Sequence, residues 1–536
     1  MTSAKEILAL MTRATEADRA LVQKAYDFSK KAHEGHTRNS GDPYFIHPAA
    51  TAKILAEFGM DAVTIAAGLL HDSIEDARAS REAVEKEFGA EVLFIVEGVT
   101  KLGKHKYRGA ERHAESLRRL LVATASDVRV LIVKLADRYH NMQTLQYVPE
   151  VKRHRIALET LEIYTPIADR LGMGKLKREL EDLAFPYVDP DAYIHTVELR
   201  KLKTKETEDG LARIQKMLRR EFAKKGIMNF RTDIRMKGLW SLHQKLKRKR
   251  DDITLIHDIA ALRVVVRSLE DCYNTLGIIH ALFKPLPGEF KDYIALPKPN
   301  GYRSIHTTVL TKEAGIVEIQ IRTEEMHKEA QFGIASHMSY KQLGKTAEKS
   351  SFATLSFAWV RGLIPTLLKV SKANASPAAI QKVPPWLAEI TNAHTEVAGS
   401  KEFVEGLKED FFSHRVFVFT PKGDVIDLPS GATPLDFAYA IHSDLGNHMQ
   451  GAKVNGKLVA FESALGNGDI VEIIRKESAQ PSAKWLDAVK TSMARKHIRI
   501  ELGMTETDER QSSRRSRKNS TFTKPRHGKK NGSESS

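Results

Sequence analysis

The sequence predicts a multidomain α+β protein: an all-helical N-terminal domain, an α+β domain around a sheet, and a small sheet crossed by one helix. At 536 residues the chain is too long for one core, given about 150 residues per domain. Apolar residues recur at helical spacing as far as residue 190 or so, then give way to β-branched, alternating runs. A third, compact stretch pairs hairpin signals with one helix.

Residues 1–193 are predicted all-helical, from spacings such as Leu21, Ala25, Phe28 and Ala32, or Leu117, Leu120, Leu121 and Thr124. Residues 194–227 are highly charged with few large apolar side chains, as expected of a helical connecting arm. In 228–344 the runs FRTDIR, IAALRVVVR, SIHTTVL and IVEIQIR read as strands, with helices at 239–249 and 323–340. Residues 345–412, with Pro377 and Pro384-Pro385, read as a linker. In 413–476, RVFVFTPKGDVIDLP reads as a hairpin, TPLDFAYAIH as a helix and GAKVNGKLV as a hairpin turning at Asn455-Gly456. A helical extension, 477–502, and a disordered basic tail, 503–536, follow; the tail has nine Lys or Arg and no acid between 510 and 530.

A charged fraction of 28% beside a hydrophobic fraction of 42% fits a globular protein, and no apolar run approaches the roughly 20 residues that span a bilayer. The N-terminus mixes Lys5, Glu6, Arg13, Glu16 and Asp18 into its apolar pattern, unlike a signal or transit peptide, so a cytoplasmic location is expected. Cys272 is the only cysteine, so any metal is held by imidazole and carboxylate. The net charge of +16 suits polyanions such as nucleotides or RNA, and equally a solvated surface.

The first candidate site lies in GLLHDSIEDA, where His71-Asp72 and Glu75-Asp76 fall one turn apart on one predicted helix and interrupt an apolar run. Burial of such groups is costly without a cation. His47 stands at a helix start before Pro48, and Asp137 ends the apolar run LIVKLAD. One histidine alone is more often a core or capping residue; the set points to a metal-dependent phosphohydrolase with His47, His71, Asp72 and Asp137 as ligands. Two imidazoles and two carboxylates suit Mn²⁺, with Fe²⁺ or Zn²⁺ as alternatives. Glu75 and Asp76 remain to orient and deprotonate water, and Arg38, Lys134 and Asn141 to hold substrate.

In the second site Arg235, Lys237 and Lys245 approach a helix start, with the Ser241 hydroxyl one turn in, an arrangement that suits phosphate and equally a solvated basic face. Asp258 at the start of one strand and Glu318 in another are placed to share Mg²⁺. Between them stand Lys291, Lys298, Asn300, Tyr302 and His306, cations beside a ring able to stack on a base.

The segments RNSGDPYFIHP, LLHDSIED and KLADRYHNMQTL resemble the hydrolase motifs of the Rel/SpoT homologues, enzymes that make and destroy guanosine tetra- and pentaphosphate, (p)ppGpp. The resemblance implies an HD-type hydrolase domain with His47, His71, Asp72 and Asp137 as manganese ligands. It makes Glu75 and Asp76 the water-activating pair and Arg38, Asn141 and Thr144 nucleotide contacts. Asn39 departs from the family, where Lys or Ser is common. From Arg235 to Tyr340 the chain resembles the family's nucleotidyltransferase-like synthetase domain. That implies Arg235, Lys237, Lys245, Lys291 and Lys298 for phosphates or adenine, Tyr302 for guanine stacking, Asp258 for Mg²⁺, and Glu318 for Mg²⁺ and base catalysis. Ser241, Arg263, Asn300, His306 and Gln320 complete the substrate-binding set. The reaction implied transfers the β,γ-pyrophosphate of ATP to the 3′-hydroxyl of GDP or GTP. Glu289, where bifunctional members usually carry a basic residue, leaves the GDP-versus-GTP preference open.

Residues Arg415 to Ile474 resemble a TGS domain, a β-grasp module that in longer members contacts tRNA on the ribosome, with His442 at the implied contact position. The family's later zinc-finger and ACT modules are expected to be absent. The expectation is a bifunctional (p)ppGpp synthetase and hydrolase using Mn²⁺ in one site and Mg²⁺ in the other. Beside it stand a hydrolase-dominant enzyme and a tRNA- or ribosome-binding regulator with vestigial catalysis.

Overall fold

The computed structural model describes residues 2–74, 79–100, 127–227, 229–256, 258–298, 300–336, 415–421, 425–466 and 468–504. Glu75 and Asp76, the 117–124 helical pattern, the predicted 345–412 linker and the tail beyond 504 lie outside them. The chain forms two compact units, whose described parts are 2–336 and 415–504.

The first unit opens with helices α1 (Ala4–Leu10), α2 (Glu16–Ala32), α3 (Ile46–Glu57), α4 (Ala62–Leu70), α5 (Arg81–Val99), α6 (Arg129–Gln143), α7 (Glu150–Glu159), α8 (Thr165–Arg170) and α9 (Gly174–Val188). Polar side chains satisfy the free amides at several starts: Thr15 and Asp18 form a capping box on α2, and Asp61 accepts from Thr64 N at 2.7 Å on α4. The sequence of α4, AVTIAAGLL, is almost wholly apolar, and every residue of it but the half-buried Val63 is buried among α2, α3, α5 and α6. The helix ends at Leu70, so His71 and Asp72 occupy the turn after it rather than the helix expected for them. Asp137 lies in the middle of α6, not at its end, because the apolar stripe resumes at Met142.

Helix α10 (Pro190–Lys224) is one element, starting earlier than the predicted arm, and its C-terminal half is not a bare connector. Leu211, Ile214, Leu218 and Phe222 are fully buried in the core of the sheet that follows. Their spacing makes a narrow stripe, diluted by the Lys, Arg and Glu on the exposed side. The sheet comprises β1 (Phe230–Met236), β2 (Ala260–Val266), β3 (Lys284–Asp292), β4 (Ile305–Thr311) and β5 (Gly315–Thr323), in the order β1-β2-β5-β4-β3. Only β2 and β5 pair in parallel. Helices α11 (Leu239–Arg248), α12 (Leu269–Leu282) and α13 (Glu324–Phe332) complete this half.

The helical and sheet halves meet along a tight seam. Ile334 N donates to Leu171 O at 2.9 Å, Asn300 Nδ2 to Asp169 O at 3.0 Å, and Trp240 N to Asp182 Oδ1 at 3.2 Å. Phe185 of α9 packs on the rings of Trp240 and His243 of α11, with centroids 5.1 and 4.9 Å away.

The second unit contains hairpin β6 (Arg415–Phe419) with β7 (Val425–Pro429), helix α14 (Pro434–Ile441), a short α15 (Ser443–Asn447), and β8 (Met449–Val454), β9 (Lys457–Val459) and β10 (Val471–Arg475) ordered β10-β8-β9. The β8–β9 turn is Asn455-Gly456, both at positive φ (51° and 79°), as a two-residue hairpin requires. Beyond β10 the chain runs without helix to α16 (Trp485–Ala488) and α17 (Ser492–Glu501). Trp485, Val489, Met493 and Ile498 share a core with Leu435 and Tyr439 of α14, so this extension belongs to the domain.

Candidate active sites

Helices α3, α4 and α6 converge on a buried polar centre. His47, His71 and Asp137 are 2%, 2% and 6% exposed and offer donor atoms within 4.8 Å of one another. His47 Nε2 lies 3.2 Å from Asp137 Oδ1 and 3.5 Å from Asp72 Oδ2, and His71 Nε2 lies 3.4 Å from Asp72 Oδ2. His71 Nδ1 donates to Gly68 O at 2.8 Å, which leaves Nε2 as the lone-pair nitrogen, and that buried atom has no hydrogen-bond partner. Burial holds His47 below the usual imidazole range, hence neutral. Burial pushes the Asp137 carboxyl up, but Lys134, 2.7 Å away, together with His47 and His71 outweighs it and holds the group well below its ordinary range. Neutral imidazoles and ionised carboxylates are the donor forms a divalent metal requires, so the residues fit one.

Around the centre, Tyr44 Oη donates to Asp72 Oδ2 at 3.1 Å, and Asn141 Nδ2 donates to Asp137 Oδ1. Arg38 reaches Asn141 Oδ1 at 3.0 Å, so two of the predicted substrate contacts already meet. Thr144 caps the end of α6, its hydroxyl donating to His140 O at 3.1 Å. Sequence reasoning missed His140. It is buried, its Nδ1 lies 2.8 Å from His47 Nδ1, and burial with the nearby His47 and Arg38 brings its pKa down to about 3. Its position three residues after Asp137, on the same face of α6, was the available signal.

The second site is one face of the sheet. Leu262, Val264, Val317, Ile319, Ile321, Ile305 and Val309 point into the core, so the alternate residues face the other way. Registers align Asp233, Arg263, Gln320, His306 and Lys291 in one row, and Arg235, Ala261, Glu318 and Thr308 in the row beside it. Glu318 accepts from Gln320 Nε2 at 2.8 Å and lies 3.1 Å from His306 Nδ1, whose Nε2 meets Tyr302 Oη at 2.8 Å. Burial pushes Glu318 up, but the His306 and Gln320 bonds overcome it and bring its pKa down to about 2. Lys298 Nζ sits 5.4 Å from the Tyr302 ring centroid, and Arg322, which sequence reasoning also missed, 5.9 Å from it. Arg322 follows Glu318 and Gln320 in the same alternation.

Asp258 stands two residues before β2 rather than at its start. Lys237 and Lys245 converge on its Oδ2 at 2.6 and 2.7 Å, while Oδ1 is buried without a hydrogen-bond partner. Lys245 lies in the last turn of α11, not near its start, yet still reaches this carboxylate. Ser241 donates to Glu181 Oε2 of α9 at 3.1 Å. Asn300, tied to Asp169 O, accepts from Tyr302 N at 3.2 Å. Lys291 and Glu289 are exposed on β3, beside its irregular stretch between Pro285 and Phe290. In the second unit His442 Nδ1 accepts from Asp444 N at 3.2 Å and caps α15.

Comparison with known proteins matches residues 25–174 to the HD domain, 234–345 to the region found in RelA / SpoT proteins, and 416–475 to the TGS domain. The fold and sites thus define a multidomain protein with an all-helical HD-type domain, a nucleotidyltransferase-like α+β domain and a β-grasp TGS domain. A GTP pyrophosphokinase of Myxococcus xanthus is 43% identical over 90% of this chain and 60% of its own length. A probable guanosine-3′,5′-bis(diphosphate) 3′-pyrophosphohydrolase of Synechocystis sp. is 43% identical over 90% of this chain and 60% of its own. The guanosine-3′,5′-bis(diphosphate) 3′-pyrophosphohydrolase of Aquifex aeolicus is 44% identical over 89% and 64%. Over about nine tenths of its length the chain is similar to these Rel/SpoT-type proteins, and it carries the HD, RelA / SpoT and TGS regions together. It spans less than two thirds of the length of these relatives. No helix among the described residues is long and apolar enough to cross a membrane.

Proposed function

We propose that this chain is a bifunctional, cytoplasmic alarmone enzyme that synthesises (p)ppGpp from ATP and GDP or GTP and hydrolyses it to GDP or GTP and pyrophosphate. The observation that carries this reading is the coexistence in one unit of a buried imidazole–carboxylate centre and a sheet face bearing Glu318 among cations. Manganese at His47, His71, Asp72 and Asp137, and magnesium at Asp258 and Glu318, would supply Lewis-acid neutralisation of phosphoryl charge.

In the hydrolase Glu75 and Asp76 orient and deprotonate the attacking water, while Arg38, Asn141 and Thr144 hold the nucleotide. In the synthetase Arg235, Lys237, Lys245, Lys291 and Lys298 hold phosphates or adenine, Ser241, Arg263, Asn300, His306 and Gln320 complete the substrate-binding set, and Tyr302 stacks on guanine. Glu318 takes the 3′-hydroxyl proton. Its low pKa keeps it ionised at the expense of basicity, so the His306 bond must be exchanged for the substrate hydroxyl. Lys237 and Lys245 release Asp258 as the phosphates arrive. The TGS domain offers a surface for tRNA on the ribosome, including His442.

Incubation with Mn²⁺ and Mg²⁺ and either ATP plus GDP, ATP plus GTP, or ppGpp alone, with nucleotides resolved by ion exchange, tests the reading. Turnover is expected in both directions, with Glu75→Ala abolishing only hydrolysis and Glu318→Ala only synthesis. No turnover in either direction would overturn it. Hydrolysis alone would favour a hydrolase-dominant enzyme, a reading that exposed Glu289 supports; Glu289→Arg should then raise synthesis.

A further inference from the structure

Beside Glu318 the active face of the sheet runs into a cavity of about 450 Å³ at the outer edge of β1. One wall is the sheet half: Asp233, Arg235, Lys237 and Arg263. The other belongs to the helical half: Arg178 and Asp182 of α9 and Arg200 of α10. Five cations thus face two carboxylates, and both acids are engaged. Asp182 accepts from Trp240 N at the start of α11, and Asp233 lies 3.1 Å from Arg263. Lys237 is neutralised by Asp258 and Arg263 by Asp233, so the surplus positive charge of the lining is carried by Arg178, Arg200 and Arg235, and the cavity has the size of a site for a small organic ligand. Arg235, 3.5 Å from Gln320 Oε1, connects it to the catalytic row.

We propose that Arg178 and Arg200 bind the polyphosphate of the donor nucleoside triphosphate, so that the synthetase donor pocket is completed by helices of the other half. The inference rests on the synthetase reading above. Guanidinium groups suit this task because their fixed forks match phosphate oxygens. Arg178 contributes charge at the wall, its stem against Gly238, where an added Cβ would lie 2.9 Å from Arg178 Cγ. Arg200 also donates to Lys237 O at 3.3 Å, fixing the backbone that carries a predicted phosphate ligand. No nucleotide contact to either residue was predicted from the sequence, because both lie outside the segment that resembles a synthetase.

The test compares the full chain with Arg178→Gln, Arg178→Lys, Arg200→Gln and Arg235→Ala, measuring binding of the β,γ-methylene analogue of ATP by calorimetry, the KM for ATP in synthesis, and ppGpp hydrolysis. Loss of one charge-assisted contact is expected to raise the analogue Kd and the ATP KM about tenfold or more in each Gln variant. The KM for GDP and the rate of hydrolysis should stay within twofold, and Arg178→Lys should recover part of the loss. A merely structural role would lower the melting temperature and kcat without a selective effect on ATP KM, and that pattern overturns the proposal. So does unchanged analogue affinity in both Gln variants while Arg235→Ala loses it. Failure of the unaltered chain to bind the analogue or make product would instead sink the synthetase reading itself.

Discussion

Ser241, on the first turn of α11, donates its hydroxyl to Glu181 of α9 at 3.1 Å, so a predicted nucleotide contact of one half is held by a buried carboxyl of the other. Burial raises Glu181 to about 7, against the opposing pull of Lys177. Lys177 is itself raised, which at first disagrees with a neutral partner. The distances resolve this: Lys177 Nζ is 3.1 Å from Asp169 and 3.9 Å from Glu181, so Asp169 neutralises most of its charge.

A carboxyl whose folded pKa exceeds its unfolded value binds more protons when folded between the two. Its contribution is therefore full below about pH 4.5 and is lost as pH rises through about 7. The first unit should lose on the order of 2 to 3 kcal/mol between pH 5 and pH 8 from this group. Glu181→Gln, which keeps an acceptor for Ser241, should flatten that part of the profile. Urea unfolding at the two pH values checks it; equal slopes in both proteins would exclude Glu181 as the cause.

His140 supports the first centre from behind. With its Nδ1 2.8 Å from His47 Nδ1, it fixes which way the His47 ring faces. Outer partners of metal-binding imidazoles typically contribute about 10- to 100-fold in metal affinity. His140→Ala should weaken manganese binding by that factor while leaving the synthetase rate unchanged, whereas Asp137→Ala should abolish binding. Manganese titration followed by electron paramagnetic resonance distinguishes these; unaltered affinity in His140→Ala would rule out the supporting role.

The convergence of His47, His71, Asp72 and Asp137 was legible because polar groups interrupting apolar runs demand a partner. The alternation around Glu318 likewise determined which side chains share a face. His140 and Arg322 escaped because they act through neighbours, and only the folded helix or strand shows those neighbours. The packing of Leu211 through Phe222 escaped because charge on the exposed face of α10 hides a narrow stripe. The seam formed by Asp169, Glu181 and Asp182 with the sheet half depends on contacts between residues more than 50 positions apart, which no local pattern encodes.

Gly333 makes that seam sterically exacting. It ends α13 at φ 54° and ψ −130°, and a Cβ there would collide with the Leu171 carbonyl oxygen and the Gly172 backbone. Gly333→Ala should cost about 2 to 4 kcal/mol and loosen the Ile334 N to Leu171 O bond. Hydrogen exchange at residues 171–174 and 333–336 should accelerate in the variant. Unchanged protection would mean that the seam relaxes without cost.

In the second unit the buried Asp436 joins the β-grasp core to its C-terminal extension. The carboxylate accepts from Thr433 N at 2.8 Å, Lys490 N at 3.0 Å, and both Thr491 N and Thr491 Oγ1 at 2.8 Å, so one side chain satisfies groups on both sides of the domain. Removing a buried charged acceptor strands these donors, at about 1 to 3 kcal/mol for each that water does not reach. Asp436→Ala should therefore destabilise this unit by about 3 to 5 kcal/mol and free α17 from α14, exposing the buried Trp485 and shifting its fluorescence to longer wavelength. Asp436→Asn, which keeps one acceptor oxygen, should lose less. If Asp436→Ala unfolds at the same urea concentration as the unaltered chain, the extension is held by its apolar contacts, Met493 and Ile498 above all, and the carboxylate network is dispensable.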